Sequence, residues 1–105
     1  MTNLTLLVSR HRGARTWLLA EAERRGWAPA RLVGHLDPDV LAPRIRRVAG
    51  TLPLGLAGQL SARGIEIWHL DLTLDANSRG RELSEGEMQL HHARLRRVLA
   101  LHLEE

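Results

Sequence analysis

Ser9, Arg10 and His11 stand together immediately after an apolar run, Leu4 to Val8. Gly50 and Thr51 follow a second run, Ile45 to Ala49. These are the residue types that handle phosphate. A hydroxyl orients an oxygen, a guanidinium offers a planar fork of charged donors, and an imidazole exchanges a proton near neutral pH. Each run gives way to a turn and then to a helical pattern, which opens at Gly13-Ala14 in the first case and after Gly50-Thr51-Leu52-Pro53 in the second. A strand–turn–helix junction of this kind gathers unpaired backbone N–H groups at the positive end of a helix dipole, which suits an anion. Two such junctions on one sheet edge predict a shared phosphate site with its own acid–base group. Ser9, Arg10, His11 and Thr51 are its candidate catalytic residues, and the reading requires residues 9 and 51 to meet.

Further candidates for holding a ligand follow from position. Gly13, Gly50 and Leu52 belong to the two junctions, and His35 and Asp37 lie at the end of the second strand pattern. Arg79 and Arg81 lie in a polar loop, 73–83, where they could close over an anion. Gly50-Thr51 lacks the lysine and spacing of a P-loop, so nucleotide triphosphate hydrolysis is not supported. His11, His35 and His69 fall near strand ends, but nearby arginines disfavour a cation. No metal and no cofactor are expected, and His69 reads as a hydrogen-bonded structural residue. His91 and His92 diverge on a helix and cannot chelate together, and His102 is more than two turns further along.

The elements that must position these residues read as β-α-β-β-α-β-α. The strands are Leu4 to Val8, Ala30 to Leu36, Ile45 to Gly50 and Ile65 to Leu72. The helices span about 13–25, 53–63 and, after a capping-box pattern at Ser84-Glu85-Gly86-Glu87, a final stretch carrying Met88, Leu95, Val98, Leu99 and Leu103. Gly26 and Gly64 stop the first two helices. Arg46 and Arg47 suggest that the third strand lies near an edge. The second and third strands are joined by too short a link for a parallel crossover, so they are non-adjacent or antiparallel. Alternation of strands and helices predicts an α/β fold with a mostly parallel four-stranded sheet. In such sheets ligands sit beyond the carboxyl ends of the strands.

At 105 residues the chain reads as one domain, 1–105. It has no cysteine, which removes disulfides, thiolate nucleophiles and zinc–thiolate sites. Its apolar runs are too short for a bilayer and no signal pattern leads them, so a cytoplasmic location and no membrane contact are expected. All 15 basic residues are arginine, and the formal charge is only +3. With no Phe or Tyr and three tryptophans inside or beside apolar patterns, the chain has no exposed aromatics to spare for stacking bases, which argues against a long nucleic acid as partner.

Taken in order, several short motifs together resemble a known family. They are Ser-Arg-His-x-Gly-Ala (9–14), His-Leu-Asp (35–37), Gly-Thr-Leu-Pro (50–53), Arg-Gly (63–64), His-Leu-x-Leu (69–72) and Arg-Gly-Arg-Glu-Leu (79–83). The chain is similar to a small CRISPR-associated accessory family of type III systems, the sixteenth of the Csx series. It departs from that pattern in the Arg-rich segment before Gly50 and around 39–44. The resemblance implies a Rossmann-like (CARF-like) three-layer sandwich with helices on both faces. It also implies a homodimeric ring nuclease that degrades cyclic oligoadenylate second messengers, mainly cyclic tetra-adenylate. Joined to the residues above, it implies metal-independent attack of a ribose 2′-OH on its own phosphate, giving linear products with a 2′,3′-cyclic phosphate. Two other readings remain at this point: a protein that sequesters the cyclic nucleotide without cutting it, and an RNA-binding CRISPR accessory protein.

Overall fold

Leu4–Val8 forms β1, and all five of its residues are buried. A strand apolar on both faces must be covered on both, and the chain does this with one helix per side. In the computed structural model, which describes residues 3–37, 39, 41, 43–71 and 93–101, α1 spans Arg12–Arg24, β2 Ala30–Val33, β3 Ile45–Gly50, α2 Leu54–Ala62, β4 Glu66–Asp71 and β5 Arg94–Val98.

The sheet order is β2-β1-β3-β4-β5. β1 pairs in parallel with β2 (Leu6 opposite Arg31) and with β3 (Leu6 opposite Val48), and β3 pairs in parallel with β4 (Val48 opposite Ile67). β5 runs antiparallel to β4, with Leu70 opposite Leu95. The chain therefore leaves β1 in one direction through α1 to β2 and continues outward from β3 in the other through α2 to β4. The order reverses between β1 and β3. That switch point opens a crevice at the carboxyl ends of these two strands.

Strand alternation sorts the core into two layers. Leu7, Ala49, Leu70 and Leu95 face α1, where they join Trp17, Leu18 and Ala22. Leu4, Leu6, Val8, Val48 and Ile67 face α2, where they join Ala57 and Leu60. α1 stops at Gly26, whose φ of +73° is the left-handed turn that glycine takes without strain.

The opposite, amino-end edge of the sheet carries a charged clamp. Arg47 Nε lies 2.5 Å from Glu66 Oε2, which also accepts a hydrogen bond from Trp68 Nε1 at 2.8 Å. The Arg47 guanidinium sits 4.6 Å from the ring centre of Trp27, and that of Arg25 stacks 4.8 Å from Trp68, contacts that add cation–π attraction. Burial pushes the Glu66 carboxyl up. The hydrogen bonds from Arg47 and Trp68 and the charges of Arg47 and Arg97 outweigh it and leave the group below the ordinary carboxylate range.

Four expectations are corrected. The sheet has five strands, not four, and its last strand is antiparallel. That strand, Arg94–Val98, falls where the spacing of Leu95, Val98 and Leu99 suggested helix. Five residues are too few to separate the two periods, and pairing with β4 decided: Leu95 enters the α1 layer beside Leu70, and Val98 the α2 layer beside Ile67. The rest of the expected final helix lies largely outside the described residues, among 84–92 and 102–105. β3 is not near an edge but central, because Arg47 is absorbed by Glu66 and Trp27 while Arg46 stays exposed. β2 ends at Val33, and β2 and β3 are separated by β1, the non-adjacent solution to their short link. No helix of the described residues is long and apolar enough to cross a membrane.

Candidate functional site

A cavity of about 250 Å³ opens at the switch point, lined among others by Ser9, Arg10, His11, His35, Thr51 and Leu52. Ser9 is buried, at 3% exposure. Its Oγ accepts the His11 N–H at 3.1 Å, which fixes the turn and leaves its hydroxyl proton to donate. His11, not Ser9, is the N-cap of α1, and its side chain makes no capping hydrogen bond. His11 is exposed at the cavity wall.

Arg10 and Arg15 tie this loop down. Arg10 Nε donates to the Gly34 carbonyl and Arg15 Nη1 to the Ser9 carbonyl, each at 3.3 Å. The first bond reaches across to the turn after β2 and links the β1 and β2 exits. Gly34 belongs to the cavity wall itself. A Cβ there would come within 3.6 Å of Arg15 Nη1 and 3.8 Å of Arg10 Cγ.

The second junction is held just as closely. The Thr51 N–H donates to the Val8 carbonyl at 3.0 Å, which lashes the end of β3 to the end of β1. Gly50 permits the approach. Its φ is +136°, and a side chain on it would run into the Val8 carbonyl and lie 3.0 Å from the Val8 nitrogen. Gly50 thus shapes the crevice floor without lining this cavity. It lines a neighbouring groove of about 390 Å³ with His69, Leu54, Ile67 and Val98, and Leu52 stands in both walls.

Three amides expected to be available to an anion are already committed: Ser9 N–H to the Val33 carbonyl, His11 N–H to Ser9 Oγ, and Thr51 N–H to the Val8 carbonyl. The backbone donors left include the amides of Gly13 and Ala14 in the first turn of α1 and of Leu54, Gly55 and Leu56 in that of α2, which have no preceding turn to accept them. Neither helix has an acidic residue in its first turn or a side chain capping it, and their N-cap residues, His11 and Pro53, both line the cavity, so no side chain offsets the positive ends of the two dipoles beside it.

The remaining candidates are placed differently. Gly13 is buried inside the first turn of α1 and does not line the cavity. Asp37 also lies outside the wall, where its Oδ1 accepts the Asp39 N–H at 2.9 Å as a turn former. His69 is exposed and lines the neighbouring groove. Arg79 and Arg81 lie outside the described residues. No cluster of three metal-ligating side chains occurs among the described residues. Gly34 and Arg15 were missed by the sequence reading. Gly34, read as lying inside the strand Ala30 to Leu36, is a glycine that could have marked the strand's true end at Val33, but Arg15 gave no signal apart from its helix.

Fold and cavity define an α/β protein whose mixed five-stranded sheet carries an arginine-flanked cleft at its switch point. Residues 6–100 match the model of the family "Putative CRISPR-associated protein (Cas_VVA1548)". Such a match spans most of the chain, and the protein belongs to that CRISPR-associated family. No curated protein and no solved structure matches the chain.

Proposed function

We propose that the protein is a ring nuclease of the type III CRISPR response, cleaving cyclic oligoadenylate, mainly cyclic tetra-adenylate, in the cleft between β1 and β3. The observation that carries this reading is the convergence of Ser9, Arg10, His11, His35 and Thr51 on one cavity between two uncapped helix N-termini. Membership of a CRISPR-associated family supplies the context.

The chemistry needs no outside nucleophile. The ribose 2′-OH loses its proton and attacks the adjacent phosphorus. The P–O5′ bond breaks, and the leaving oxygen takes up a proton. The product carries a 2′,3′-cyclic phosphate. The nucleophile is already tethered, so holding the chain in line supplies much of the acceleration. The Ser9 hydroxyl, the Thr51 hydroxyl and the helix amides orient the phosphate oxygens. Arg10 stabilises the charge that builds on them. His11 is the acid or base. A ring with two-fold symmetry suits a homodimer presenting one such cleft from each copy.

The test is incubation with labelled cyclic tetra-adenylate, with and without EDTA. The expected result is linear product ending in a 2′,3′-cyclic phosphate at equal rates in both. A ring that binds tightly yet stays intact overturns the nuclease reading in favour of sequestration. A ring that does not bind overturns both.

A further inference from the structure

Two sets of arginines among the described residues differ in what holds them. Arg24, Arg25, Arg47, Arg94, Arg96 and Arg97 each lie 2.5–3.6 Å from a carboxylate of Glu21, Glu66 or Asp71. Arg10 and Arg15 are held by main-chain carbonyls and, among the described residues, face no carboxylate within salt-bridge distance. Their charge is fixed in place and not neutralised there. Both line a second, open groove of about 420 Å³ on the β2 side of α1, with Arg12, Thr16, Leu19 and Leu32. Arg10 is common to this groove and to the cavity that holds Ser9 and His11. Gly34 leaves room beside both Arg10 and Arg15.

We propose that this groove is a second phosphate subsite, which takes the phosphodiester next to the one bound in the cavity. The inference rests on the reading of the cavity as a phosphodiester site. The ligand class is an oligonucleotide with at least two consecutive phosphodiesters. Arg10 spans the pair, Arg15 holds the second phosphate with the guanidinium donors that the Ser9 carbonyl does not use, and the Leu19–Leu32 floor accepts the intervening sugar. An adenylate with one phosphodiester engages only the cavity.

The experiment compares binding of linear oligoadenylates with one, two and three phosphodiesters to the wild-type protein, to Arg15→Gln and to Leu19→Glu. Leu19 is 45% exposed, so its replacement by a good helix former keeps the fold while setting a negative charge on the groove floor. In the wild type, the second phosphodiester should raise affinity about tenfold, as expected for one charge-assisted contact. Both variants should lose that gain, and Leu19→Glu, which leaves the Arg15–Ser9 bond in place, should bind the one-phosphodiester ligand as the wild type does. A tenfold gain that survives in both variants refutes the second subsite while leaving the cavity reading intact. Failure of the wild type to bind at any length refutes both.

Discussion

Replacing Gly50 with alanine tests the junction on which the cleft is built. Two costs add. A non-glycine residue held at a φ of +136° is strained by about 1–3 kcal/mol. The new methyl also meets the Val8 carbonyl, and pushing apart two central strands of a packed sheet costs about 1–3 kcal/mol more. The sum, about 4 kcal/mol, is a large share of the ~5–15 kcal/mol that holds a domain of this size. At roughly 5 °C per kcal/mol it lowers the Tm by about 20 °C. Gly26→Ala is the matched control. Gly26 also has a positive φ, +73°, but a Cβ there meets nothing within 4 Å, so only the backbone strain of about 1 kcal/mol remains. Urea and thermal unfolding of the two variants beside the wild type measure the difference. If Gly50→Ala costs no more than Gly26→Ala, the close approach of β3 to β1 is not what glycine serves, and the account of the crevice fails.

Other predictions follow from the same geometry. Arg10→Ala and His11→Ala should each reduce ring cleavage at least about a hundredfold with unfolding midpoints near the wild type, since both side chains are exposed; cleavage that persists in both variants refutes their roles. Leu60→Ala, which empties a fully buried position in the α2 layer, should cost about 3 kcal/mol by denaturant unfolding. Glu66 and Glu21 both have carboxyls held below their ordinary range, burial raising each while hydrogen bonds and charges from arginines, with Trp68 at Glu66, outweigh it. Their pairs therefore stabilise the fold fully above the unfolded carboxyl value, about 4.3, and that contribution is lost as pH falls through the lower folded values. Glu66→Gln should flatten the acid side of the stability–pH curve; an unchanged acid limb would show that the clamp is not what titrates.

Much of the fold was legible because its signals were local. The five buried residues of β1 are apolar apart from Thr5. The glycines that stop α1 and α2, Gly26 and Gly64, lie two residues past the last helical residue. Ser9-Arg10-His11 and Gly50-Thr51 sit at strand–helix junctions, so their place at the carboxyl edge follows from the order of elements. β5 was misread because Arg-Leu-Arg-Arg-Val satisfies a helix stripe and a two-faced strand equally well, and only β4 distinguishes them. The central position of β3 was hidden because Arg47 looks like a solvent residue until Glu66 and Trp27 are brought to it.

The sequence by itself determined which segments become strands and helices in the first two-thirds of the chain, and which side chains stand where strands end, because hydrophobic period and turn glycines act over a few residues. Only the tertiary structure decided that β1 lies between β2 and β3, which makes their exits one cleft. It also decided which backbone amides are spent inside the turns, and which arginines meet a carboxylate and which do not. These outcomes depend on pairing between residues tens of positions apart, and the energy of such pairing is not written in any one segment.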